Sequence, residues 1–193
     1  MISKHIKEVL LMALVERQVY DIEIGKLTIE SARIDEAKEI INFVKAVDNE
    51  TDYLMRETGE FNISIEEEKE FIRDKEKSYN SIFLTAKVNE KIVGTIGFSG
   101  NSLKRYQHKG QFGIAILKDY WNYGIGSKML IVMLDWADKN EFKKITLEVD
   151  DINEKAIKLY QKFGFEIEGK LKNDKYLGNG EYRDSLIMAR LKD

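Results

Sequence analysis

The run Trp121-Asn122-Tyr123-Gly124-Ile125-Gly126-Ser127 places two glycines where an apolar stretch, Gln111–Leu117, gives way through Lys118–Tyr123 to a helical pattern. A strand that turns into a helix here leaves the first N–H groups of the helix without acceptors, at the positive end of its dipole. Glycine lets a ligand come close to that backbone, and the chemistry this favours is the binding of a phosphate or pyrophosphate. Two better-known phosphate loops do not fit. A nucleotide P-loop needs Gly-Lys-Ser/Thr at its end, whereas Lys128 follows Ser127. The dinucleotide fingerprint needs a third glycine where Met129 stands. A plain strand–turn–helix, with glycines serving only tight packing, is the alternative reading of these residues.

Composition narrows the remaining chemistry. The 193 residues fit one ordinary domain, 43% apolar, with a formal net charge of −3. That balance offers no basic stripe for nucleic acid or an anionic membrane. No apolar run has the length a membrane helix needs, and a cytoplasmic location is expected. Cysteine is absent, which excludes a thiol nucleophile, an acyl-cysteine intermediate, a disulfide framework and a thiolate metal site. His5 and His108 are the only imidazoles, so no metal is expected. His108 precedes the central strand and is read as a solvent-exposed or turn-stabilising residue rather than a proton relay.

The elements that must position these groups follow from periodicity. Ile2, Ile6, Val9, Leu10, Ala13 and Leu14 have helical spacing, so residues 1–22 are expected to be a helical extension, packed on the domain or used for dimerisation. Residues 23–193 are expected to form the domain. It opens with a strand over Leu27–Ser31 and a helix over Asp35–Val47. Residues 49–62 read as a long functional loop. Ser64 with Glu67 forms a capping box for a helix to about Asn80, its Glu66–Glu70 carboxylates a solvated face. A hairpin follows, Ile82–Val88 and Lys91–Ser99, and then the central strand and the glycine-led helix. Lys144–Val149 alternates as a strand, Asp151 and Glu154 suggest a second capping box, and a helix runs from Asn153 to Phe163, ended by Gly164. Phe165–Leu171 and Tyr182–Leu191 close a single mixed α/β domain.

Order and motifs together resemble the GNAT (GCN5-related N-acetyltransferase) family over roughly Leu27 to Leu191. Its acetyl-CoA signature, Gln/Arg-x-x-Gly-x-Gly/Ala, aligns with Trp121, Gly124 and Gly126, with Trp121 in place of the usual Gln or Arg. A second signature is met by Asn153, Ala156, Ile157, Leu159, Tyr160, Gly164 and Phe165. The resemblance implies a mostly antiparallel sheet splayed between its fourth strand, Gln111–Leu117, and its fifth, Lys144–Val149. Pantetheine would pair with the backbone of Ile114, Ala115 and Ile116. The pyrophosphate would lie on the N–H groups from Asn122 through Tyr123, Gly124, Ile125 and Gly126 to Ser127. Asn153, Lys155 and Ala156 at the last helix are implied as further contacts.

Acetyl transfer from a thioester to an amine requires deprotonation of the acceptor, stabilisation of an oxyanion and protonation of the thiolate. The resemblance gives the last task to Tyr160, which shares a helical face with Asn153. It suggests Glu148 as base, twelve residues before Tyr160 as in ribosomal-protein-alanine N-acetyltransferases, where a desolvated carboxylate would be the stronger base. The backbone amide near Ile116 is the implied oxyanion donor. Tyr53, Glu57 and Phe61 are candidate acceptor contacts, the aromatics equally readable as minor core. Asp184 is either a cation contact or a hairpin ion pair. The expected function is direct acetyl transfer from acetyl-CoA to a small primary amine, polyamine, amino acid or amine antibiotic, the chain being a monomer or homodimer. Acetylation of a protein N-terminus or lysine, and a non-catalytic acetyl-CoA-binding module, are the alternatives.

Overall fold

A computed structural model describes residues 14–178 and 180–192. The chain forms β1 (Gln18–Ile22), β2 (Gly25–Ser31), α1 (Ala37–Asp48), α2 (Ile65–Lys77), β3 (Ser81–Val88), β4 (Lys91–Gly100) and β5 (Lys109–Ile116). It continues through α3 (Ile125–Lys139), β6 (Lys144–Asp150), α4 (Glu154–Lys162), β7 (Glu166–Gly178) and β8 (Glu181–Leu191). One sheet runs β1-β2-β3-β4-β5-β6-β8-β7. Every neighbouring pair is antiparallel except β5 and β6.

The alternation of each strand assigns its faces. Ile96, Phe98, Phe112, Ile145, Leu147 and Val149 bury against Ile125, Met129, Met133 and Trp136 of α3 and Tyr160 of α4. The opposite face carries a smaller core in which Ile40, Phe43, Val44 and Val47 of α1 and Ile72 of α2 meet Ile92, Leu117 and Phe83. Between the two layers lie buried charges that need partners. Lys87 is one such charge, and it bonds both Glu30 and Glu36.

Several expectations are corrected. Gln18–Ile22 is a strand paired with β2, not part of a helix. Gly25, at φ +131°, lets the chain reverse into β2 so that Val19 and Ile22 pair rather than coil. The helical expectation for residues 1–13 lies outside the described residues. The capping box at Ser64 is present. However, α2 stops at Lys77, because Ser78 turns extended and its hydroxyl bonds the Asn80 side chain. The second box is absent: Asp151 is held by Lys170 at 2.8 Å, and Asn153 caps α4 by accepting from the Ala156 N–H at 3.2 Å. β7 runs past Leu171 to Gly178, absorbing Asn173 (φ +50°) in an irregular stretch.

Candidate active site

The central feature is an unzipped sheet. β5 and β6 pair only through Lys109–Gln111 and Lys144–Thr146. Beyond Gln111 the β5 backbone keeps its β4 partners as far as Ile116 but has none on β6. The Leu117 N–H donates to Val93 O at 2.9 Å, so alternation points the backbone groups of Leu117, Ala115 and Gly113 at β4, and those of Ile116, Ile114 and Phe112 at the gap. Thr146 Oγ1 bonding Gly110 O at 3.3 Å fits this parity. Ala115 therefore offers no backbone group to a pantetheine arm, contrary to the expectation. Ile116 offers only its N–H, because the Trp121 indole N–H takes its carbonyl at 2.7 Å. The free pair on the gap side is the N–H and C=O of Ile114. Spacing alone did not reveal the Trp121 bond, since indole donors have no sequence periodicity.

Beyond the end of β5 a single turn of 3-10 helix, Lys118–Tyr120, leads to the glycines. From Asn122 to Ser127 no N–H finds an acceptor among the described residues; the first helical bond is Lys128 N–H to Gly124 O at 3.1 Å. The two glycines do different work. Gly124 is in the left-handed region, at φ +76°, and a Cβ built there would meet only Lys128 Nζ, at 4.0 Å, so the space before it is open. A Cβ on Gly126 would lie 3.2 Å from Leu159 and 3.4 Å from Ile116, so this glycine lets α3 close on α4 and β5. No acidic residue lies in the first turn. The ammonium of Lys128, seated over the Tyr20 ring at 5.4 Å, adds positive charge that the motif reading missed. A row of N–H donors, a helix N-terminus and a lysine suit an anion with several oxygens.

Tyr160 is buried against Phe112 and Phe165 in edge-on contacts of 5.8 and 6.1 Å. Its hydroxyl has no partner among the described residues, and burial pushes its pKa well above the usual phenol value. It is thus a fully protonated donor at neutral pH. Ala156 is half-buried and packs on the main core, while Lys155 is exposed on the same helix.

On the other face of the sheet the parting of β5 from β6 leaves an open stretch of backbone, termed the trough. Gly113 is exposed although it sits mid-strand, and a Cβ there would meet nothing within 4 Å. Continuing the Gln111–Thr146 register by two residues brings Glu148 level with Gly113, and by four brings Asp150 level with Ala115, all on this face. Glu148 is exposed on this face, not buried as the sequence reading expected. Asp150, which the sequence reading passed over, is buried and bridges Lys175 Nζ (2.6 Å) and Arg183 Nη1 (2.9 Å). Both cations also donate to the Asp52 carbonyl, at 3.0 and 3.4 Å, so the 49–62 loop is tied to the β7–β8 hairpin beside the trough.

The other candidates divide. Tyr53 lies under the Arg183 guanidinium at 6.0 Å, at the trough rim. Phe61 packs into the smaller core beneath Arg56 and is the minor-core aromatic of the alternative reading. Glu57 is exposed, its N–H capped by Glu60 at 2.9 Å. Asp184 pairs with Lys170 at 2.8 Å and accepts from the Asn173 N–H; this is the hairpin ion pair, and its carboxyl is held below the usual range. His108 contributes its backbone: its carbonyl accepts from the Lys143 and Lys144 N–H groups at 2.8 and 3.1 Å.

A parted parallel pair leading into an open N–H row defines an acyl-CoA acyltransferase architecture, and comparison with known proteins agrees. Residues 48–165 match the Acetyltransferase (GNAT) family. The chain is 38% identical over 111 residues to the L-amino acid N-acetyltransferase AaaT of Escherichia coli (strain K12), covering 56% of this chain and 67% of that one. A GNAT-family acetyltransferase structure from Streptococcus pneumoniae superposes with a TM-score of 0.83 at 34% identity, covering 86% of this chain and 99% of that one. The yncA protein of Salmonella typhimurium, solved with its cofactor acetyl-CoA, shares the fold at a TM-score of 0.75 and 15% identity, over 86% of this chain and 94% of its own. The chain belongs to the GNAT acetyltransferase family.

Proposed function

We propose that the protein transfers an acetyl group directly from acetyl-CoA to the primary amine of a small molecule. The observation that carries this reading is the early end of the β5–β6 ladder at Gln111 and Thr146, immediately before the unpaired N–H row of Asn122–Ser127. The first supplies an interior strand edge for an amide-bearing arm, the second a seat for its diphosphate. A relative named as an L-amino acid N-acetyltransferase supports a small acceptor.

In this reading the thioester reaches the level of Ile116, whose gap-facing N–H stabilises the tetrahedral oxyanion. The amine arrives from the trough over Gly113. Glu148, exposed on the same face, removes its proton through water. The collapse of the tetrahedral intermediate expels a thiolate, which takes the Tyr160 hydroxyl proton. Burial weakens the phenol as an acid, and the same desolvation makes a thiolate formed beside it more basic, so the proton transfer is tied to C–S cleavage. Asn153 is assigned to holding the α4 terminus rather than to the cofactor.

Thiol release from acetyl-CoA tests the reading. Addition of an acceptor amine should raise it well above slow hydrolysis, and Glu148→Gln should flatten the acidic limb of the pH–rate profile. Acetyl-CoA binding without amine-stimulated release would instead identify a non-catalytic binding module.

A further inference from the structure

The trough carries opposite charges at two neighbouring positions of one strand face, and this narrows the acceptor. Glu148 and Asp150 project from the same face of β6 two residues apart, about 7 Å along the strand. Glu148 is exposed and pairs with no cation among the described residues. At Asp150 the charge is reversed, because one carboxylate is shared by two cations, Lys175 and Arg183, each about one-sixth exposed. Their bonds do not exhaust them. Arg183 uses only Nη1, for Asp150 and the Asp52 carbonyl, so its Nε and Nη2 donors have no acceptor among the described residues. Lys175 donates to Asp150 and the Asp52 carbonyl and keeps a third hydrogen.

These donors belong to strands whose facing residues are register-locked to the trough. Asp150 pairs with Ser185 and Glu148 with Ile187 on β8, and Arg183 shares their face, opposite Lys175 on β7. Asp150 and the tethered 49–62 loop hold the guanidinium through Nη1 alone and leave its Nε/Nη2 edge without an acceptor among the described residues. A planar fork with a spare edge suits a carboxylate. We infer that the acceptor is an amino acid with its carboxylate free: the amine lies toward Glu148, and the carboxylate meets Arg183 and Lys175. An α-amino acid carries its ammonium and its carboxylate on one carbon, so a single small acceptor can present one to Glu148 and the other to the cations gathered at Asp150, two residues along the same strand face. A polyamine would place a second cation against Arg183 and be disfavoured.

This rests on the proposed acetyl transfer and deepens it. The test measures acceptor-stimulated thiol release, with acetyl-CoA saturating, across the common L-amino acids, their α-amides, the matching decarboxylated amines and spermidine. Wild type should use at least one free amino acid with kcat/KM about tenfold or more above its amide and amine, the scale of a lost charged partner. In Arg183→Gln that ratio should collapse toward one, and Arg183→Lys should restore part of it. A purely structural Arg183 would lower turnover with every acceptor alike and leave the ratio intact, overturning the inference. So would a wild-type preference for amides, amines or spermidine. No stimulation by any acceptor, with acetyl-CoA still bound, overturns the transfer reading itself.

Discussion

A buried tyrosine that keeps its proton is an unusual choice for the proposed acid, and what surrounds Tyr160 decides whether it suits that role. Phe112 and Phe165 flank the ring, no charged group is near enough to lower its pKa, and its hydroxyl is without a described partner. Such a group gains its purpose only when an anion is generated beside it. Tyr160→Phe should therefore keep acetyl-CoA affinity while reducing kcat by about 10²-fold; steady-state kinetics with separate binding measurements check this. Because burial raises the phenol above the working range, no alkaline limb near neutrality should come from Tyr160. The residue was legible beforehand because it belongs to a motif, Asn153 through Phe165, with fixed helical spacing. Asp150 was not, because its meaning depends on Lys175 and Arg183, and only the hairpin brings these two to it.

At the scale of elements, the end of β5 is held by two contacts of different kinds. Its backbone continues the β4 ladder to Leu117, and Trp121 returns from the following turn to close the Ile116 carbonyl. The indole thus stands where the family's signature has Gln or Arg, yet it works as a brace for the strand that faces the slot. Removing one neutral hydrogen bond of this kind costs about 1 kcal/mol. Trp121→Phe should accordingly weaken acetyl-CoA binding about fivefold, measurable by titration calorimetry, with little change in the acceptor KM. Most of the elements were readable from periodicity and caps, because α1, α2, the hairpin and α3 each bury a face that their own pattern announces. The exceptions have separate causes: β1 and the long β7 are made by pairing with a neighbouring strand rather than by a buried face of their own, and the expected Asp151 box is lost because Lys170, from β7, takes that carboxylate.

For the molecule as a whole, a sheet that opens at one end must be closed at the other. β5 and β6 meet only at their starts, and α3 is anchored there by the bidentate pair of Arg190 on β8 with Asp138, at 2.8 and 2.9 Å. That bond holds the Asp138 carboxyl below its ordinary range. A carboxylate depressed in the folded state contributes stability above its unfolded pKa, near 4, and loses it as pH falls through the folded value. Asp138→Asn should melt below wild type at neutral pH, and the two curves should converge in acid below about pH 4; thermal melts across pH check the sign. No helix among the described residues is long and apolar enough to cross a membrane.

What acetyl-CoA does to individual backbone amides bears most directly on how this protein works. Hydrogen exchange with and without the thioester reads them one by one. Adding acetyl-CoA should slow exchange at Asn122–Ser127 and at Ile114 and Ile116, and leave Ala115, already bonded to β4, unchanged. If the thioester bound while those amides exchanged as fast as before, with protection elsewhere on the molecule, the slot and its N–H row would not be the cofactor site.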